Sequence, residues 1–223
     1  MPLPVIVLFA KRPDRGKVKT RLVPPLTPDQ ATNLYHCFLK DVCGQLSTLR
    51  DVNRVIAFNS PEARDFFESL RPPGWMLLPQ PQSGLGKRMA GVFAVLHDQG
   101  YRQFLAVGSD APTLPTAWIQ QAIDILRDET ASLVLGPTED GGYYLIGMNG
   151  LHTEVFEDIT WSTDKVYTQT KTRAAALGLT VTDLPRWYDV DDAASLEKLR
   201  QSLSAPGDRY DPPHTRKFLA TLS

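Results

Sequence analysis

Short apolar runs alternate along the chain with longer segments in which apolar residues recur at helical spacing. Two of the runs, 5–9 and 104–107, are continuous rather than alternating, which is typical of strands covered by helices on both faces. The pattern predicts seven strands, at residues 3–10, 53–59, 75–78, 103–108, 132–136, 143–148 and 179–184. We therefore expect an α/β fold of three layers, αβα, with a mainly parallel central sheet.

Several predicted helices have clear start signals. Residues 27–30 (Thr-Pro-Asp-Gln) can form a capping box with Thr27 as the N-cap, and the apolar residues of 31–49 then recur at helical spacing. Further helices are expected to begin after Ser60, near Leu85 and after Asp192, which can serve as an N-cap.

Length and composition favour a single globular domain. The chain has 223 residues, 42% of them hydrophobic and 22% charged, with a formal net charge of −1. We expect one domain over residues 1–203 and a C-terminal extension over residues 204–223 that packs on it. The near-neutral charge excludes the basic surface typical of nucleic-acid-binding proteins.

The N-terminal segment and the cysteines favour a cytoplasmic protein without a membrane span. The apolar run at 3–10 precedes the basic residues, the reverse of a signal peptide, and it is too short for a membrane helix. Cys37 and Cys43 fall six residues apart in a predicted helix, so they face different directions and cannot bridge. No Cys/His cluster has the spacing of a zinc site.

The loops that follow the predicted strands carry the candidate chemistry, because ligands of parallel α/β sheets bind at the carboxyl ends of the strands. Residues 11–21 contain six basic residues and one acidic residue. That density of Lys and Arg suits a di- or triphosphate, although the spacing is not that of a Walker loop. The alternative is a solvated basic loop.

A second loop, residues 80–89, combines glutamines with two glycines. Glycine lets the backbone approach a flat ligand, and amides such as that of Gln82 can pair with a nucleobase edge. The structural alternative is an ordinary loop before a helix.

Carboxylates follow two other predicted strands. Asp110 comes directly after a buried strand and before a proline turn, so it is placed to bind a divalent cation, or else to order the turn. Asp189 and Asp191 share one face if their segment is extended. Glu139 and Asp140 precede paired glycines, where either a substrate pocket or a plain hairpin turn would explain them.

Taken in order, these segments resemble the nucleotide-diphospho-sugar transferase superfamily, which has the GT-A fold. More narrowly, they resemble the bacterial glycosyltransferase family DUF2064, some of whose members are linked to arsenosugar biosynthesis. They are also similar to 2-phospho-lactate and molybdenum-cofactor guanylyltransferases. The matching segments are residues 9–13, 19–22, 82–89, 108–114, 139–144, 161–163 and 188–191.

The resemblance implies roles for individual residues. Asp110 and Asp191 would bind Mg²⁺ or Mn²⁺, and Gly141, Gly142 and Tyr143 would line the acceptor or sugar side. Seven residues are expected to contact the nucleotide, mainly at its phosphates: Lys11, Arg12, Lys19, Arg21, Gln82, Gly86 and Arg88.

Two positions depart from the family pattern. The metal motif is Gly108-Ser-Asp110, with one carboxylate instead of two, so metal affinity should depend on Asp191 and on bound nucleotide. Gly84 stands where relatives tend to have an acidic residue.

The sequence therefore predicts a metal-dependent transferase that acts on a nucleotide-linked donor, foremost a glycosyltransferase using an NDP-sugar, with Glu139 or Asp140 as general base. One alternative is a nucleotidyltransferase that joins an NTP to a phosphorylated acceptor and releases pyrophosphate. Another is a non-catalytic nucleotide-binding module. The expected partners are the donor and a small-molecule acceptor. A homodimer with Trp75 and Trp118 on its contact face is a further alternative, although both tryptophans also suit a half-buried core.

Overall fold

A computed structural model describes residues 2–222 of the chain. Within these residues, seven strands form one sheet in the order β3-β2-β1-β4-β6-β5-β7. Their bounds are β1 Val5–Ala10, β2 Asn53–Phe58, β3 Met76–Pro79, β4 Gln103–Val107, β5 Leu133–Pro137, β6 Tyr143–Asn149 and β7 Val181–Asp183.

All seven predicted strands are present, and the prediction of a mainly parallel sheet is confirmed. Strands β3, β2, β1 and β4 are parallel neighbours, as are β5 and β7. Only β6 runs antiparallel to its two neighbours, β4 and β5. It does so because the turn at 138–142 joins β5 directly to β6 as a hairpin.

Seven α-helices in the described part of the chain cover the two faces of the sheet, so the three-layer prediction is confirmed. Residues of α1, α2, α4, α6 and α7 pack on the face formed by Ile6 and Leu8. Residues of α3 and α5 pack on the opposite face, against Val5 and Val7. The bounds are α1 Pro28–Ser47, α2 Arg64–Leu70, α3 Leu85–Asp98, α4 Thr116–Arg127, α5 Val166–Ala176, α6 Ala193–Ser204 and α7 Pro213–Ala220.

The predicted caps of α1 and α6 are confirmed. Gln30 N donates to Thr27 Oγ1 at 3.2 Å, and Thr27 N donates to Gln30 Oε1 at 2.8 Å, which completes the capping box. Asp192 caps α6 in the same way through Ser195. Helices α2, α3, α4, α5 and α7 begin without a side-chain cap, and Ser60 makes no capping hydrogen bond either.

Other expectations from the sequence can also be compared with the structure. Cys37 and Cys43 are both free thiols. Trp75 is buried, and Trp118 is half-buried and packs edge-to-face on Trp187 with 5.1 Å between the ring centroids, so both tryptophans have core contacts. The homodimer stays a prediction. None of the helices within residues 2–222 is long and apolar enough to cross a bilayer.

The final helix, α7, is tied to α1 by a buried carboxylate. Asp41 on α1 is 1% exposed, and its two oxygens accept hydrogen bonds from His214 N at 2.9 Å and Thr215 N at 2.7 Å. These are amides of the first turn of α7, which have no partner inside their own helix. A negative charge there also complements the helix dipole.

We expect Asp41→Ala to destabilise the protein by about 2 kcal/mol, because it leaves buried backbone donors without acceptors. Asp41→Asn keeps one acceptor oxygen and should cost roughly half as much. Urea denaturation of both variants measures the difference. Equal stability of wild type and Asp41→Ala would mean that α7 docks through its apolar contacts alone.

Candidate functional site

A cavity of about 530 Å³ opens at the carboxyl ends of β1 and β4. These strands are parallel neighbours, so the loops that follow Ala10 and Val107 lie side by side. The loop at 11–21, the first turn of α3 and the start of β6 complete the walls. The predicted site residues that line this cavity are Lys11, Lys19, Arg21, Arg88, Asp110, Tyr143 and Asp191.

Four charged residues from three distant parts of the chain meet at one edge of this cavity. Lys19 Nζ lies 2.5 Å from Asp110 Oδ1 and 2.8 Å from Asp191 Oδ1. Arg21 Nη2 contacts the other oxygen of Asp191 at 2.9 Å. The backbone holds the two carboxylates together, because Val190 N donates to the carbonyl oxygen of Asp110 at 2.8 Å.

Burial and the neighbouring charges shift the pKa values of Lys19 and Asp191 in opposite directions. Burial alone lowers the pKa of Lys19, but Asp110 and Asp191 more than offset it, and the pKa is raised. Burial likewise opposes ionisation of Asp191, yet the adjacent Lys19 and Arg21 leave its pKa lowered. The lysine and Asp191 are therefore both ionised at neutral pH.

Lys19 is held in place by its backbone and by two aromatic rings. Its φ is +49°, a left-handed conformation that is uncommon for residues other than glycine. The ammonium lies 5.8 Å from the ring centre of Tyr35 and 5.6 Å from that of Phe38. The Lys19 side chain is only 4% exposed.

Tyr35 is a cavity residue that the sequence placed only in the buried stripe of α1. Its hydroxyl lies 2.9 Å from Ser109 Oγ and accepts a hydrogen bond from Lys11 N at 3.1 Å. Burial, with help from Asp110, raises its pKa to about 12, so it acts as a neutral hydroxyl. It was the only hydroxyl-bearing aromatic in an otherwise apolar stripe, which is the signal that could have revealed it.

The two candidate general bases, Glu139 and Asp140, lie in a second cavity of about 370 Å³ that shares Arg21 and Asp191 with the first. Glu139 Oε1 pairs with Lys198 Nζ at 2.5 Å. Asp140 Oδ1 accepts from Thr138 Oγ1 at 2.5 Å and from Gly142 N at 3.2 Å, so it stabilises the hairpin turn.

Asp189 also lines the second cavity, as a neighbour of the cluster formed by Lys19 and the two carboxylates. Burial, with Asp110 as the next contributor, raises the pKa of Asp189 to about 8. The sequence placed Asp189 on the same face as Asp191, and in the structure both line the second cavity, while Asp191 also lines the first.

Five predicted site residues lie outside the lining of either cavity within the described residues. They have other contacts in this conformation, and their roles at the ligand stay predictions. Arg12 pairs with Asp14, and Gln82 donates to a backbone carbonyl. Gly86 packs under the Trp161 ring, and a Cβ there would come within 2.8 Å of it. Gly141 and Gly142 belong to the hairpin turn.

The donor set at Asp110 and Asp191 fits a divalent cation that also binds phosphate. Mg²⁺ sites that serve nucleotides use one or two carboxylates and take the other ligands from phosphates and water. Asp110 and Asp191 are 37% and 32% exposed at the cavity. No group of three or more metal-binding side chains comes together within residues 2–222, so the protein alone offers no complete cage.

Comparison with known proteins gives the family. A family model described as "Uncharacterized protein conserved in bacteria (DUF2064)" matches residues 42–163, more than half of the chain. The chain belongs to the DUF2064 family. The crystal structure of a "putative nucleotide-diphospho-sugar transferase" from Desulfovibrio desulfuricans G20 is similar to this DUF2064 protein over 99% of the chain and 96% of its own, with 30% identity and a TM-score of 0.88.

More distant structures share the fold of the DUF2064 protein. CMP:2-keto-3-deoxy-manno-octonic acid synthetase, complexed with CTP, has a TM-score of 0.59 at 13% identity, over 91% of this chain and 98% of its own. Rv0371c from Mycobacterium tuberculosis H37Rv, in complex with manganese, has a TM-score of 0.57 at 12% identity, over 91% and 100%. No curated protein matches the sequence.

Proposed function

We propose that this DUF2064 protein is a divalent-metal-dependent transferase whose donor is a nucleotide diphosphate sugar. The observation that carries the proposal is the cavity at the ends of β1 and β4, where basic side chains face Asp110 and Asp191. The description of the Desulfovibrio relative as a nucleotide-diphospho-sugar transferase supports the same donor class.

In the proposed reaction, an acceptor hydroxyl oxygen bonds to the anomeric carbon while the bond from that carbon to the β-phosphate oxygen breaks. The hydroxyl proton passes to a base on the protein, and the nucleoside diphosphate leaves. Lys11 and Arg21 supply fixed positive charge where negative charge develops on the leaving phosphate. A bound Mg²⁺ or Mn²⁺, held by Asp110 and Asp191, would supply further charge stabilisation.

Glu139 suits the general base better than Asp140 does. One oxygen of Asp140 accepts two hydrogen bonds that hold the hairpin turn. Among residues 2–222, the carboxylate of Glu139 pairs with the exposed ammonium of Lys198 alone, and it faces the second cavity next to Asp191. An acceptor in that cavity would approach the donor from the side of Asp191 and Arg21.

Nucleotidyl transfer is the second candidate, and the number of cations favours it. Besides Lys19, whose ammonium contacts Asp110 and Asp191, the larger cavity is lined by four basic residues, namely Lys11, Lys17, Arg21 and Arg88, which would suit three phosphates as well as two. In that reaction an acceptor phosphate oxygen bonds to the α-phosphorus of an NTP, and pyrophosphate leaves. The CTP complex of a protein with the same fold supports this candidate.

A thermal-shift panel of NDP-sugars and NTPs, each with and without Mn²⁺ or Mg²⁺, tests the donor class. A ligand at a hundred times its Kd should add about 2.7 kcal/mol to the free energy of unfolding. For a protein of this size the melting temperature should rise by roughly 5–10 °C. We expect the largest rise with one NDP-sugar and metal together.

Other results of this panel would change the assignment. A rise with an NTP but not with NDP-sugars, followed by metal-dependent pyrophosphate release, would establish nucleotidyl transfer instead. Nucleotide binding without turnover of any donor would indicate a binding module. No shift with any nucleotide, metal present, would contradict the proposal.

A further inference from the structure

The position of Lys19 differs from that of a phosphate-binding lysine. Its ammonium contacts Asp110 and Asp191 at 2.5 and 2.8 Å, and its side chain is 4% exposed. It therefore lies between the two carboxylates expected to bind the metal. Lys11 and Lys17, by contrast, are exposed residues on the same cavity wall and remain free to meet phosphates.

The surroundings of Lys19 keep its ammonium there. The backbone at this residue is left-handed, and the rings of Tyr35 and Phe38 flank the ammonium. Arg21 contacts Oδ2 of Asp191, so together with Lys19 two cations already contact the carboxylate pair. A divalent cation that reached both carboxylates would come within a few ångströms of a buried positive charge, where repulsion is poorly screened.

We propose that Lys19 is a built-in counter-ion that prevents Asp110 and Asp191 from binding a divalent cation until nucleotide phosphates enter the cavity. This proposal rests on the proposed function, since it concerns the same metal and nucleotide. Phosphate oxygens bring negative charge that offsets the ammonium, and they complete the ligands of the cation. Metal and nucleotide then bind as a unit, and free metal does not occupy the site.

Nucleotide-free Mn²⁺ titration followed by electron paramagnetic resonance tests the role of Lys19. Lys19→Gly removes the ammonium at a backbone conformation that glycine adopts freely, and Lys19→Met removes it while retaining much of the side-chain volume. We expect both variants to bind Mn²⁺ at least tenfold more tightly than wild type. Lys19→Arg, which retains the charge, should bind as weakly as wild type.

Lys17→Met is the matched control, because it removes one positive charge from the same loop without touching either carboxylate. It should leave nucleotide-free Mn²⁺ affinity within about twofold of wild type, since an exposed charge is largely screened. A similar gain in Lys17→Met and Lys19→Met would show a general effect of loop charge and would overturn the specific role of Lys19.

The same titration separates this inference from the proposed function. If Lys19→Gly gains no Mn²⁺ affinity while wild type binds Mn²⁺ together with a nucleotide, the counter-ion role is wrong and the proposed function stands. If wild type binds no metal with any nucleotide but Lys19→Gly binds free Mn²⁺, the block by Lys19 is supported, whereas its relief by nucleotide and the proposed function both fail. Should Lys19→Met not fold, Lys19→Gly decides the result.

Discussion

Asp110→Asn is expected to lower turnover at least a thousandfold and to abolish the joint binding of metal and nucleotide. Asp110 lies at the cavity in the loop between β4 and α4, and its carboxylate shares the ammonium of Lys19 with Asp191. An amide has almost the same shape but no charge, so it is a much weaker ligand for a divalent cation. A loss of that size corresponds to about 4 kcal/mol of transition-state stabilisation.

Steady-state kinetics and a nucleotide thermal shift with Mn²⁺ measure the effect of Asp110→Asn. Asp98→Asn is the matched control, because Asp98 ends α3, is highly exposed and lies outside both cavities. It should retain wild-type turnover. The fold of Asp110→Asn should persist, since the hydrogen bond from Val190 reaches the backbone oxygen of residue 110. Turnover within tenfold of wild type would remove Asp110 from the metal site.

The strands were predictable because each is an apolar run covered on both faces. In β1, Ile6 and Leu8 face one helical layer and Val5 and Val7 face the other, so no polar residue interrupts the run. Helix α5 was not predictable in this way. Its buried residues include Thr170 and Ala174, which make only a weak apolar stripe.

The pairing of Asp110 with Asp191 was implied by the family resemblance and not by the strand order. Asp110 lies in the loop after β4, whereas β7, the strand that precedes Asp191, is the edge strand of the sheet, three positions away from β4. The position of Lys19 between the two carboxylates could not be predicted. It depends on a left-handed backbone at a residue with a side chain, a conformation that no local sequence rule requires.

The reason for the paired glycines of the 138–142 turn could also not be predicted in full from the sequence. Paired glycines after Glu139 and Asp140 suggested a close approach of ligand to backbone. The hairpin turn explains part of this Glu-Asp-Gly-Gly pattern. Contact with a second chain segment, around Asp164, explains the rest. A Cβ on Gly141 would come within 2.1 Å of Asp164 O, so the close approach at this glycine is made by the protein itself.

Gly141→Ala is therefore expected to destabilise the protein by about 3 kcal/mol or more. Gly141 has a φ of +88°, which strains any residue with a Cβ, and the new methyl group would overlap backbone atoms of Asp164. The carbonyl of Gly141 also accepts a hydrogen bond from Tyr167 N at 2.8 Å, so the displacement would reach the start of α5. The melting temperature should fall by roughly 6–12 °C.

Gly74→Ala is the control that separates the cost of backbone strain from the cost of overlap between atoms. Gly74 has a similar φ of +82°, but a Cβ there would meet no atom within 4 Å. Its substitution should cost only about 1–2 kcal/mol, the strain alone. Ser162, in the loop just before Asp164, lines the larger cavity, so Gly141→Ala should also weaken nucleotide binding, whereas Gly74→Ala should not. If urea denaturation gave the two variants equal losses of stability, the segment around Asp164 would be able to move aside. The turn would then not fix the cavity wall that contains Ser162.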